Sequence, residues 1–274
     1  MDTFIGFDSA WTDNPKSRGA ICAVSMKGRV SAKFYPPRLA TFDEALTFIR
    51  EVRDEDGNTL IALDQPTVVP NLVGMRPVER AAAALVGWLG GGVQPANRAR
   101  KGMFCDASPI WRFLTGLECV QDPERARDAA DGLYLIEVFP ALALASLDPG
   151  FFARLGAPKY NPGRRKTFRA DDWVRVAGAA AREANSFDCI ELANWCCEAG
   201  KIAHPRKADQ DKLDSAICLL VGLRWRLKSR DLSLLLGDLA KGYMVLPASS
   251  DVREYLRAPA AKHSVAIDGV VSKF

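Results

Sequence analysis

The chain has 274 residues, a formal net charge of +4 and 48% hydrophobic residues, enough apolar material to fill a sizeable core and too much for a disordered chain. No stretch is long and apolar enough to cross a membrane, and Met1-Asp2-Thr3 lacks the charged and apolar regions of a signal peptide, so a cytoplasmic protein with no membrane partner is expected. Seven cysteines without a Cys-x-x-Cys pair, and only two histidines, His204 and His263, argue against a zinc knot, a disulfide framework or a multi-histidine centre and leave oxygen ligands for any metal.

Thr3-Phe4-Ile5-Gly6-Phe7-Asp8 reads as a short buried strand ending at a carboxylate, and Gly19 to Met26 reads as a second. Lys27-Gly28 links to Arg29–Phe34, so the chain opens as an antiparallel meander of three strands. Thr41 then precedes Phe42, Ala45, Phe48, Ile49 and Val52, with Glu44 three residues on as in a capping box, which predicts a helix. Thr59-Leu60-Ile61-Ala62-Leu63-Asp64 is a buried strand halted by Gln65-Pro66, and a strand that follows a helix favours a crossover to a parallel neighbour. Residues 67–131 read as an insertion with a helix at Pro77–Leu89.

Leu133 to Phe139 is the next strand, with Leu135 and Glu137 on one face and Tyr134, Ile136 and Val138 on the other. A second insertion, residues 148–205, carries Lys159-Tyr160-Asn161-Pro162-Gly163-Arg164-Arg165-Lys166 and helices near Asp171–Ala184 and Phe187–Ala199. A helix from Lys207 or Ala208 is apolar all round in its middle, the pattern of a helix inside the protein, and it sets Asp211, Asp214 and Ser215 on the face that continues through Cys218, Gly222 and Trp225. Tyr243–Leu246 suits a late strand, and residues 251–274 read as a loosely held tail. The fold class is thus α/β, with residues 1–250 as one domain.

Five carboxylates, Asp8, Asp64, Glu137, Asp211 and Asp214, stand where buried strands end or the buried helix begins. Singly, each has an ordinary use: Asp8 and Asp64 as turn residues, Asp209, Asp211 and Asp214 as helix caps, Glu137 as partner to an arginine. Together they suggest a collecting cation, because open sheets gather functional groups at the carboxyl ends of parallel strands.

The order of elements resembles the RNase H-like fold, and the chain resembles the family known as domain of unknown function 429, described as predicted RNase H-like nucleases. The resemblance rests on Ile5-Gly6-Phe7-Asp8, Ile61-Ala62-Leu63-Asp64-Gln65-Pro66, Gly74-Met75-Arg76 to Glu79-Arg80, Ile136-Glu137-Val138-Phe139-Pro140, Lys159-Tyr160 and Asp211 to Asp214-Ser215-Ala216, and spans about residues 3–247. Asp-x-x-Asp-x-Ala is also similar to the acidic helix of bacterial Holliday-junction resolvases. Gln65 and Ser215 depart from it, standing where small residues are expected.

The resemblance implies a metal-dependent nuclease with two magnesium or manganese ions, held by Asp8, Asp64, Asp211 and Asp214, with Glu137 as a further ligand or an orienting group. Its partner would be nucleic acid, DNA or RNA, gripped by Arg76, Lys159, Tyr160, Arg164, Arg165 and Lys166, with Arg98, Arg100 and Lys101 as a second basic cluster and Trp11 as a base-stacking aromatic. Either basic cluster also reads as solvated loop charge, and Arg76 could instead hold Glu79 or Glu137. A homodimer is compatible with the sequence. Two alternatives stand beside the nuclease: a catalytically inactive nucleic-acid or protein-binding module of the same fold, and an actin-like phosphotransferase. The second would need a glycine-rich loop that Asp8-Ser9-Ala10-Trp11 lacks.

Overall fold

A computed structural model describes residues 1–271. Strands β1 (Asp2–Asp8), β2 (Gly19–Lys27) and β3 (Val30–Ala40) form the antiparallel meander, followed by α1 (Phe42–Val52) and β4 (Asn58–Leu63). The crossover through α1 returns β4 beside β1 in parallel, and β5 (Gly132–Glu137) adds to β4 in parallel. The five-stranded sheet therefore runs β3-β2-β1-β4-β5, antiparallel and then parallel, as expected of an RNase H-like fold. The capping box of α1 is formed: Thr41 Oγ1 accepts from the Glu44 amide at 3.2 Å and Glu44 Oε2 accepts from the Thr41 amide at 2.8 Å.

Residues between β4 and β5 are helical rather than extended, with α2 (Pro77–Trp88), α3 (Pro109–Leu117) and α4 (Pro123–Asp128). After β5 come α5 (Pro140–Leu147), α6 (Ala170–Asn185), α7 (Ile190–Gly200) and α8 (Lys207–Leu227). A separate two-stranded sheet, β6 (Ser233–Asp238) and β7 (Gly242–Pro247), and the final helix α9 (Ser250–Lys262) close the fold. No described helix is long and apolar enough to cross a membrane.

Strand alternation divides the core. Phe4, Leu60, Ala62, Ile136 and Val138 face one way, into a cluster with α6, α7 and α8. Ile5, Phe7, Ile61, Leu63 and Leu135 face the other way, against Phe42 and Phe48 of α1 and Phe113 of α3. A third cluster joins α2, α5, the β6–β7 hairpin and α9.

Two features differ from the sequence expectation. Ser233–Asp238 is a strand, although its three consecutive leucines carry no β-branched preference and no alternation; pairing with β7 decides it. Residues 250–262 are a capped helix rather than a loose tail: Ser249 accepts from the Val252 amide, and Val252, Leu256 and Ala260 are buried against α2 and the hairpin. That stripe is one residue wide at a spacing of four, too narrow to stand out in a polar segment containing Pro259. The last three residues of the expected tail lie outside the described residues.

Helix α8 lies directly on β1. A Cβ at Gly6 would sit 2.0 Å from the Ser215 carbonyl oxygen and 2.4 Å from the Leu219 nitrogen, both backbone atoms that no rotamer change can move. Gly222 faces Ala62 of β4 more loosely, since a Cβ there would meet the alanine methyl at 3.4 Å, an ordinary contact. Gly6→Ala is therefore expected to cost about 3 kcal/mol or more by overpacking, read as a lowered urea midpoint, whereas Gly87→Ala, with open space around its Cα, should be neutral or slightly stabilising.

Candidate active site

The parallel pairing of β1 with β4 ends in register at Phe7 and Leu63, and the Asp64 amide extends the ladder by donating to the Phe7 carbonyl at 2.9 Å. Asp8 and Asp64 thus stand side by side at the carboxyl ends of adjacent strands. Alternation from Gly6 and Ala62 turns both toward α8, and the contact of Gly6 with Ser215 fixes the first turns of α8 above them. Asp211 and Asp214 descend from that helix, and Asp8, Asp211 and Asp214 are buried while Asp64 is partly exposed.

The electrostatics show that the four form one group. Burial, and then the neighbouring Asp214, drive the Asp8 and Asp64 carboxyls well above the usual carboxylate range. Asp214 is pushed up to about 6 by burial, against stabilising donation from Tyr160. The Tyr160 hydroxyl donates to Asp214 Oδ1 at 2.7 Å and Gln210 Nε2 donates to Oδ2 at 2.9 Å, so this carboxylate is held from both sides. Burial raises Asp211 as well, opposed by Lys207, whose ammonium is paired with Asp211 Oδ1. Burial would lower Lys207, yet Asp8 and Asp211 carry it above the ordinary lysine value.

An all-oxygen donor set with too little positive charge is the chemistry that suits a hard divalent ion. One of the donors, Asp211, is paired with the Lys207 ammonium, and among the described residues no three or more His, Cys, Asp or Glu side chains are placed to hold a metal ion.

Three cavities adjoin the set. One of about 410 Å³ contains Asp8, Asp211 and Lys207, a second of about 410 Å³ contains Asp64 and Arg164, and a third of about 320 Å³ contains Tyr160, Gln210 and Arg164. Trp11 and Gln94 are shared by the first two, and Arg164 and Gly92 by the second and third. The Trp11 indole donates to the Asp64 carbonyl at 2.9 Å, and the residue holds a left-handed φ of 62°, a conformation a bulky side chain adopts only when its surroundings enforce it.

Other expected site residues are placed differently. Glu137 is in register with Leu63, so its side chain leaves the opposite face of the sheet from Asp64. There Arg76 grips it with two donors, Nη1 at 2.9 Å and Nη2 at 2.5 Å, while Nε bonds Glu79 at 2.9 Å. Arg76 is fully buried, its own amide and that of Ala96 donate to Glu79 Oε2, and the Thr67 amide adds a second donor to Glu137 Oε2. Arg76 is a buried counter-ion with no surface exposed to a substrate, and Glu137 is its partner, although Glu137 also lines the cavity that contains Asp64. Lys159 is also committed inside: its ammonium bonds the Gly90 carbonyl and its amide bonds Asp172, each at 2.7 Å. Arg98 is paired with Asp106 and lies over the Trp111 ring, whereas Arg164, Arg165 and Lys166 are exposed.

Lys207 and Gln210 are the site residues that sequence reasoning passed over. Their signal was a spacing of four from Asp211 and from Asp214, the distance at which helix side chains meet.

Residues 6–238 match the model of a family described as protein of unknown function (DUF429). No curated protein and no solved structure matches the chain.

Two stability measurements separate the two ionic sets. Arg76→Met leaves Glu79 and Glu137 buried without a counter-charge and should cost about 3–5 kcal/mol, with Arg76→Lys rescuing little because one ammonium cannot make the fork. The aspartates should behave oppositely. Raised carboxyl values mean that the folded state holds more protons than the unfolded chain between 3.8, the unperturbed aspartate value, and about 6 for Asp214, so stability falls as pH rises through that window. Asp8→Asn should then raise the melting temperature at pH above that window, and an unchanged or lowered value would show that the aspartates do not strain the fold.

Proposed function

The chain belongs to the DUF429 family, and from that premise we propose that it is a divalent-metal-dependent nuclease of the RNase H-like type, hydrolysing phosphodiester bonds in the cytoplasm. The observation that carries the reading is the set of four carboxylates with one paired lysine among them, Asp8 and Asp64 at the carboxyl ends of two adjacent parallel strands and Asp211 and Asp214 on the start of α8 above them.

Asp8, Asp64 and Asp214 are the residues that would hold magnesium or manganese, with Asp211 at the edge. Such an ion, when bound, lowers the pKa of a water and offsets charge on the phosphoryl oxygens. The chain's own residues supply orientation and substrate grip. Tyr160 and Gln210 each occupy one lone pair of an Asp214 oxygen and fix the plane of that carboxylate, leaving its other lone pairs free. The succession of cavities, joined at Trp11 and at Arg164, favours an extended substrate over a small metabolite. Exposed Arg164, Arg165 and Lys166 offer charge for its phosphates, and the Trp11 indole offers a stacking face.

A non-catalytic binding module of the same fold draws support from one observation, the pairing of Lys207 with Asp211, since a carboxylate already neutralised needs no ion. Nothing comparable favours the phosphotransferase: the Gly90 carbonyl is occupied by the Lys159 ammonium.

Cleavage assays with manganese on single-stranded, branched and hybrid nucleic acids test the proposal. The wild type should cut at least one class. Tyr160→Phe should lose about 10–100-fold, the range for groups that orient a metal ligand, and Asp8→Asn and Asp64→Asn should lose more while retaining binding. Replacing Arg164 and Arg165 together by alanine should weaken binding and flatten its salt dependence. Equal cutting by wild type and Asp8→Asn would identify a contaminant and remove the nuclease reading; tight, salt-sensitive binding without any cutting would favour the binding module.

A further inference from the structure

The two larger cavities meet along one wall. Trp11 and Gln94 line both, with Asp64 on one side and Asp8 on the other, although these aspartates end neighbouring strands. The wall is held firmly. Trp11 keeps its left-handed backbone with its indole bonded to the Asp64 carbonyl at 2.9 Å and its ring edge-on to Phe104 at 5.3 Å, and the Ser9 hydroxyl donates to Gln65 Oε1 at 2.5 Å. Strand β2 crowds the same turn from behind: a Cβ at Gly19 would fall 2.2 Å from the Asp8 carbonyl oxygen. The two sides differ in chemistry. Beside Asp64 the walls are Pro66, Val93, Phe139 and Met244, and the two glutamates that reach this cavity, Glu79 and Glu137, are already paired with Arg76. Beside Asp8 stand Lys16, Arg18 and Lys207, three cations against Asp8 and Asp211. Lys16 is exposed, and Arg18 is held loosely by Glu44 at 3.5 Å.

A mostly apolar cavity of about 410 Å³ suits a planar group with hydrophobic faces and lies in the range of small-ligand pockets, roughly 300–1,000 Å³. A cavity rich in lysine and arginine suits phosphate. A nucleotide carries both. We infer that the wall of Trp11 and Gln94 divides a nucleotide chain, an unpaired base entering the cavity beside Asp64 while the adjoining phosphates lie in the cavity beside Asp8. This rests on the nuclease reading above and names its substrate class. A base within a duplex is stacked on both faces and paired at its edge, so it can fill such a cavity only after leaving the helix. A single strand offers its bases without that cost. A backbone that passes from one cavity to the other crosses the ends of β1 and β4, where Asp8 and Asp64 stand. Unpaired nucleotides, in a single strand or displaced from a duplex, are therefore the substrate, and continuous duplex is not.

The test measures binding on the full chain carrying Asp8→Asn, so that ligand is not consumed, by fluorescence anisotropy of three end-labelled oligonucleotides of one sequence: a single strand, a perfect duplex and a duplex with one bulged base. The single strand and the bulged duplex should bind about tenfold tighter than the perfect duplex, the scale of one base stacked on an aromatic side chain. Val93→Trp, which fills the apolar cavity from a half-buried position, and Trp11→Ala, which removes the wall, should each abolish that preference and leave the salt dependence unchanged. Replacing Lys16 and Arg18 together by alanine should do the opposite, keeping the preference, weakening all three ligands alike and lowering the salt slope by about two. Thermal unfolding checks each variant, and Val93→Trp decides alone if Trp11→Ala does not fold. Equal affinity for paired and unpaired ligands, a preference that survives filling the cavity, a salt slope unmoved by loss of Lys16 and Arg18, or no binding to any ligand would overturn the inference. A tight complex with only one of the two unpaired ligands would uphold it and identify the source of the base. The nuclease reading fails separately: selective binding with no cutting by wild type in manganese would leave the divided site standing and remove the activity, whereas perfect duplex cut as fast as single strand would do the reverse.

Discussion

The close approach of α8 to β1 is the constraint on which the rest depends. Two backbones meet there with no side chain between them, because position 6 is glycine and a Cβ would collide with the Ser215 carbonyl and the Leu219 amide nitrogen. Lifting the helix by the thickness of a methyl group would withdraw Asp211 and Asp214 from Asp8 and Asp64. The apolar middle of α8, Ala216 to Leu223, is buried on every side and holds that distance by packing, and the ion pair of Arg226 with Asp2 of β1 ties the far end of the helix to the same strand. A hydrophobic contact thereby sets the geometry of a charged site several residues away.

Two buried ionic sets lie at this end of the sheet, and their difference is informative. Around Arg76, two glutamates are met by a planar guanidinium and backbone amides, and every charged oxygen has a donor. Around Asp8, four carboxylates share one lysine, one tyrosine and one glutamine. The first arrangement is what a fold builds when it needs a charge inside. The second leaves like charges in mutual repulsion, a local instability that persists because the surrounding structure enforces it and that is of the kind found at functional sites.

Most of the architecture was legible because it rests on local signals. The strands at Thr3–Asp8 and Thr59–Asp64 are continuous apolar runs, the Thr41–Glu44 box starts α1, and the uniform apolar middle of α8 marks a buried helix. The order of those elements was enough to bring Asp8, Asp64, Asp211 and Asp214 together. What sequence does not carry is register. Glu137 ends its strand much as Asp64 does, yet it pairs with Leu63, one residue short, and that single step sends it to the other face. The same limit hid Lys159, whose ammonium is used up by a carbonyl distant in sequence, and β6, which exists only because β7 pairs with it.

The sign of the local field at the mouth of the site follows from these placements. The amino end of α8 and Lys207 both contribute positive potential over the aspartates, and the carboxyls are still displaced upward, which means that the positive charge present falls short of what burial demands. Any cation that fills the deficit gains from the attraction and from relief of repulsion among the carboxylates, so its binding should stabilise the fold as well as complete the site. An anionic polymer faces the opposite balance and would be repelled by the aspartates alone. If such a polymer is the substrate proposed above, exposed Arg164, Arg165 and Lys166 are the charges that would draw it in, and neutralised aspartates would let it settle. On the proposed nuclease reading the arrangement of charges would therefore favour one order of binding, ion first and polymer second.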